Sequence, residues 1–194
     1  ALGSLVTVHR EALALVGGYV HPEEDAAAAA AAARVLARKA SVRPRLLEQL
    51  MTFSGPDRDP RGWSVSVAYY ALAPLAAVPL AGNPSLAAFP LGKTPALAFD
   101  HDVILKKAME RWRRRAAYST LPAFLLEERF TLPELRAVYA AVLGRTVNDS
   151  AFRRKVDELR LIEPVGGAVS RASARPARLY RLRQPRLVEF DRTL

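Results

Sequence analysis

The sequence predicts an α+β chain in two modules: an α/β/α sandwich over residues 1–110, then a helix-turn-helix closed by a β-hairpin over residues 111–194. Two observations predict this. The hydrophobic pattern runs strand, helix, strand, strand, helix in the first module, and changes to two helices three residues apart followed by two strands in the second. Charge divides at the same place. Residues 1–110 hold 11 Lys+Arg against 10 Asp+Glu, for +1, and residues 111–194 hold 18 against 9, for +9, making up the net +10. With 51% apolar residues in 194, both modules have material for a core.

In the first module "SLVTVHR" alternates as a strand, and "ALALVGGYV" is a second extended run ending at Gly17 and Gly18. Eight alanines, Ala26 to Ala33, lead into a helix through Lys39. "LLEQLMTF" reads as a strand and "SGPDRDPRG" as the turn to its partner. That partner, "WSVSVAYYALA", sets Trp63, Val65, Val67 and Tyr69 on one side and Ser64, Ser66 and Ala68 on the other. Pro74 and Pro79 then break an apolar stretch, Ala81 to Thr94 reads as loop, and "PALAFDHDVILKKAMERWRRRAAY" regains helical spacing through Phe99, Val103, Ala108 and Trp112.

In the second module "TLPELRAVYAAVLG" has a Thr cap, Pro133 in its first turn, apolar Leu135, Val138, Tyr139 and Val142, and a stop at Gly144. "NDSAFRRKVDELRL" turns Phe152, Val156 and Leu159 inward. "LIEPVGG" and "RPARLYRL" follow as two strands joined by a basic loop, giving the winged variety of helix-turn-helix. The basic charge is the footprint of a nucleic-acid binder, though ribosome contact, acidic membrane or solubility would give the same sum. No cysteine is present, which excludes disulfides and thiolate metal sites, and no apolar run reaches the roughly 20 residues that span a bilayer. No signal peptide is evident, so the expected location is cytoplasmic.

Gly17 to Val42 resembles the signature of Nudix hydrolases, G-x5-E-x7-R-E-U-x-E-E-x-G-U, whose last glutamates share one helix face and hold Mg²⁺ against a diphosphate. Here the stretch reads Arg34, Val35, Leu36, Ala37, Arg38, Lys39, so the metal face has become cationic. Glu24 precedes Arg34 by ten residues where the pattern has eight; enforcing the strict spacing puts Ala33, Leu36 and Ala37 at the carboxylate positions. Neither register restores a metal site. Glu23, Glu24 and Asp25 read as favourable charges at a helix N-terminus in preference to metal ligands. The chain opens on Ala1 and has a short connection between its first two strands, so residues are expected to be missing relative to the Nudix fold.

Taken in order, "GGYVHPEED", "RVLARKASVRPRLLEQLMTFSGPDRDPRGWSVSVAYYAL", "LAFDHDVILKKAMERWRRRAAYS", "FTLPELRAVYAAVLGR" and "FRRKVDELRLIEP…RPARLYRL" resemble the Nudix-related transcriptional regulator (NrtR) family along nearly the whole chain. The resemblance implies a homodimeric repressor on a palindromic operator of NAD biosynthesis or salvage genes. It also implies a catalytically inactive Nudix-like sensor/dimerisation domain, with ADP-ribose or a related nucleotide as effector and no bound cofactor or metal. Effector-binding candidates are Arg34, Arg38, Lys39, Arg58, Asp59, Arg61 and Tyr69. Each has a structural alternative. The first three would otherwise cover a helix end, Arg58, Asp59 and Arg61 would form a salt-bridged turn or dimer contact, and Tyr69 would fill the core.

On the second helix of the motif Ser150, Arg154 and Asp157 are expected to point outward, flanked by Arg153 and Lys155. Arg154 is the base-reading candidate, Asn148 and Ser150 suit phosphate or base edges, and Arg153 and Lys155 suit phosphates. Arg171, Arg175 and Arg178 belong to the wing, entering a groove or raising the encounter rate. Arg111 to Arg115, "RWRRR", read as a solvated face, with backbone contact as the alternative. His9, His21 and His101 lack metal spacing; Asp100 and Asp102 beside His101 would raise its pKa, although a helix cap is its favoured reading. The rival from another class is a Nudix hydrolase of ADP-ribose or a related dinucleotide.

Overall fold

The computed structural model describes residues 3–9, 12–81, 83–90, 92–170 and 177–191. Contacts divide the chain into two compact units, Ala1–Arg111 and Trp112–Leu194. The first contains β1 (Gly3–His9), β2 (Ala12–Leu15), α1 (Ala28–Ala40), β3 (Leu46–Gly55), β4 (Ser64–Leu72) and β5 (Leu86–Pro90). Helix α2 (His101–Ala116) crosses the boundary. The second contains β6 (Phe130–Thr131), α3 (Leu132–Leu143), α4 (Asp149–Glu158), β7 (Ile162–Ser170) and β8 (Ala177–Leu182).

The first unit is built on two antiparallel sheets, β2-β1-β5 and β3-β4. Strand β5 corrects the expectation of a loop from Ala81 to Thr94. Its five residues, "LAAFP", are too short and alanine-rich to carry a strand signal alone, and they become a strand by pairing Leu86 to Pro90 with Thr7 to Gly3 of β1. Helix α1 buries Ala31, Val35 and Ala40. Gly18 is required where the incoming loop crosses α1, since a Cβ there would lie 2.7 Å from a Val35 methyl. Ala40, Val42 and Leu86 form a core with Val16, Leu36, Ala73, Val78 and Leu80 packed around it.

Two further expectations change. The helical spacing through Phe99, Val103, Ala108 and Trp112 is not the buried stripe of α2, which buries Ile104 and Trp112 while Phe99, before the helix, and Val103 are exposed. The acids after Pro22 do not serve the α1 macrodipole, because Ala27 is the N-cap and the first turn carries no acidic residue. Asp25 and Glu24 bond instead to Arg34 and Arg38.

The second unit packs α3 against β6 and β8 of the three-stranded sheet β6-β8-β7, and α4 against α3. Thr131 caps α3 in a full capping box with Glu134, Pro133 stands in the first turn, and Gly144 ends the helix at φ 67°. Leu135, Tyr139 and Val142 of α3 and Phe152 and Val156 of α4 are buried. The Tyr139 and Phe152 rings meet at 5.4 Å and 59°, locking the two helices together. Tyr139 donates its hydroxyl to the Ser119 carbonyl at 2.7 Å, and burial pushes that phenol far above its ordinary pKa. Residues 188–190 return to the segment after α2: Thr120 N–H donates to Val188 O, and Phe190 N–H to Tyr118 O.

Candidate functional site

In the first unit, the Gly17 to Asp25 loop lies against α1 and is tied to it by three cations. Arg34 donates to both carboxylate oxygens of Asp25, at 2.7 and 2.6 Å, and to Tyr19 O at 2.9 Å. The Asp25 side chain is almost wholly buried, its second oxygen also accepts the His21 N–H, and the Arg34 hydrogen bonds hold its carboxyl far below the usual range against the opposing effect of burial. Arg38 donates to Glu24 at 2.8 Å, and Lys39 donates to Gly17 O at 2.6 Å. The face that carries metal-binding carboxylates in the Nudix pattern therefore holds its own loop. Among the described residues, no three His, Cys, Asp or Glu side chains group as a metal site.

The β3–β4 turn contributes the second cluster. Arg58 makes a bidentate pair with Asp100 at 2.6 and 3.0 Å, and also reaches Phe53 O, Ser64 Oγ and Ser66 Oγ. A guanidinium so thoroughly engaged fixes the hairpin to the start of α2. Arg61 is different. It forks onto Asp59, holding that carboxyl down at about 2, while its side chain remains 70% exposed and reaches the Tyr19 hydroxyl at 3.4 Å. Tyr69 is half-buried; the buried neighbour is Tyr70, whose hydroxyl donates to Glu48. Trp63, Val65 and Val67, at and after the end of this turn, lie exposed.

His101 requires a correction. Its Nδ1 accepts the Leu15 N–H at 3.0 Å, so it serves strand β2 and does not cap α2. Burial lowers its pKa and outweighs the flanking aspartates, with the Arg58 charge acting in the same direction as burial.

In the second unit, Ser150, Arg153, Arg154 and Asp157 form the exposed face of α4, and Lys155 is half-buried at its margin. Arg154 extends into solvent with Glu158 at 3.7 Å, one turn on. The Asn148 side chain caps α4, its Oδ1 accepting the Ala151 N–H at 2.9 Å. A residue not singled out from the sequence, Arg136 on α3, donates to Val147 O at 3.2 Å and lies 3.3 Å from Asp149, fixing the entry to α4. Its signal was present: a charged residue one turn before the inward Tyr139 of α3. Arg178 is exposed on β8, while Arg171 and Arg175 fall outside the described residues. Within "RWRRR", Arg111 donates to Leu50 O, Arg115 pairs with Glu189 and Trp112 is buried, leaving Arg113 and Arg114 as the solvated members.

Residues 122–182 match the NrtR DNA-binding winged helix domain. Over 190 residues, 92% of this chain and 76% of the relative, the chain is 34% identical to the "ADPR responsive transcriptional repressor NtrR" of Acinetobacter baylyi. It belongs to the NrtR family. A crystal structure of Shewanella oneidensis NrtR complexed with a 27mer DNA superposes with a TM-score of 0.88 at 35% identity, over 98% of this chain and 91% of that one. The NUDIX domain of the same protein, in cocrystals with ADP ribose, matches 55% of this chain and 75% of its own at 34% identity and TM-score 0.50. The ADP-ribose pyrophosphatase of Methanocaldococcus jannaschii is 35% identical over 102 residues, 52% of this chain and 58% of the enzyme. The fold is thus a Nudix-like domain followed by a winged helix.

Proposed function

We propose that this NrtR-family protein is a DNA-binding transcriptional repressor of NAD biosynthesis or salvage genes whose Nudix-like domain senses ADP-ribose without hydrolysing it. The observation that carries the reading is the outer face of α4: Arg154, Arg153 and Ser150 are exposed on a helix that α3 holds through Tyr139, Phe152 and Arg136. A helix so mounted fits the major groove, and an exposed arginine matches the paired acceptors of guanine. Arg153, Lys155 and Arg178 supply phosphate contacts, and Arg171 and Arg175 add positive charge to the sequence between β7 and β8. As a homodimer, the chain would place two α4 helices on the half-sites of an inverted repeat.

The noncatalytic reading is supported by α1, which has no carboxylate anywhere from Ala28 to Ala40. Of the effector candidates, Arg34 and Arg58 act as scaffold, Lys39 anchors Gly17, and Arg38, Asp59, Arg61 and Tyr69 face the ligand. The test is a gel shift on operator and scrambled duplexes. Arg154→Ala should weaken operator binding by ~1–3 kcal/mol and leave scrambled DNA nearly unaffected; equal losses on both would remove its base-reading role. Release of phosphoester products from ADP-ribose in Mg²⁺ or Mn²⁺, abolished by Glu24→Gln, would establish the hydrolase instead.

A further inference from the structure

The two arginines that α1 turns toward its loop are held very differently. Arg34 and Asp25 have side-chain exposures of 15% and 1% and are joined by two short bonds. Arg38 and Glu24 are 61% and 46% exposed and share one bond of 2.8 Å. The first pair is part of the loop's architecture. The second is a surface ion pair, of a kind that competes poorly with dissolved anions. Glu24 also has other places to go: its carboxylate oxygens lie 3.8 Å from Arg34 Nε and 3.5 Å from His21 Nδ1. Swinging off Arg38 would leave it among cationic or polar partners, while Arg34 to Asp25 and Lys39 to Gly17 keep the loop in place.

We propose that Arg38 is the exchangeable anion-binding cation of the sensor and that Glu24 is its internal competitor, so that a diphosphate binds by displacing one carboxylate and needs no metal ion. A phosphate offers a guanidinium two charged acceptors where Glu24 offers one bond, which gives the exchange its direction. This rests on the effector reading above and adds how effector affinity is set: by the balance between one arginine's bond to the chain and its bond to the ligand.

The test is titration calorimetry of ADP-ribose into the full chain, in EDTA and in Mg²⁺, for the wild type, Arg38→Gln, Arg38→Lys and Glu24→Gln, with a melting curve for each. Wild-type affinity should be the same in both buffers. Arg38→Gln should lose about tenfold or more, Arg38→Lys should retain part of the binding, and Glu24→Gln should gain about threefold as the competitor is neutralised. Wild-type affinity for Arg38→Gln, weaker binding by Glu24→Gln, or a requirement for Mg²⁺ would overturn the proposal while leaving ADP-ribose as the effector. No binding by the wild type would remove the effector reading and this proposal together. If Arg38→Gln does not fold, the Glu24→Gln result decides the matter.

Discussion

His101 stands between two aspartates and is nevertheless harder to protonate than a free histidine. Its Nδ1 accepts the Leu15 amide, so the neutral ring serves the fold, and burial penalises the charged one. Between the lowered native pKa and the ordinary value of 6.5, the unfolded chain binds the proton and the native state does not. Stability is therefore fully present above that window and falls as pH drops through it. Melting temperature followed from pH 8 to about 5 should decline below the ordinary histidine value, and His101→Asn, which keeps an acceptor for Leu15, should flatten the decline. An unchanged slope would mean that another group titrates. The aspartates beside His101 were visible in the sequence. Its 86-residue separation from Leu15 was not, which is why charge pointed one way and burial decided the other.

At the scale of the element, caps and close approaches account for what was readable. Thr131, Pro133, Glu134 and Gly144 mark both ends of α3 by local chemistry. Thr131→Ala should cost about 1 kcal/mol in urea unfolding, since it removes the acceptor for the Glu134 N–H; no loss would mean that the Glu134 carboxylate holds the turn alone. Strand β5 carried no comparable mark, because its identity as a strand comes from β1. Helix α1 shows the same division. Its extent was legible from alanine propensity, whereas the partners of its cations lie 9 to 22 residues upstream, in a loop whose path depends on Gly18 meeting Val35. Ser41 closes α1 at φ 53°, at the glycine of the Nudix pattern. Ser41→Gly should raise stability by ~0.5–1 kcal/mol, read from the same unfolding curve; destabilisation would show that the serine side chain holds the turn.

At the scale of the whole molecule, the charge division acquires its meaning from what each unit does with its cations. The first unit, at +2 with 12 Lys+Arg against 10 Asp+Glu, pairs Arg34, Arg38, Arg58 and Arg61 with Asp25, Glu24, Asp100 and Asp59. The second, at +8 with 17 against 9, leaves Arg153 and Arg178 exposed to solvent and Arg154 in a loose pair with its own helix. A neutral unit that binds its own acids suits a sensor of a small anion, and a basic one suits a polyanion. The measurement that tests this most directly is fluorescence anisotropy of the full chain on a labelled operator duplex, at fixed salt and with ADP-ribose titrated in. Tight binding that a scrambled duplex does not match, and that ADP-ribose reverses without itself being consumed, is the predicted result. Equal affinity for both duplexes, or loss of ADP-ribose to hydrolysis with the DNA complex intact, would contradict it.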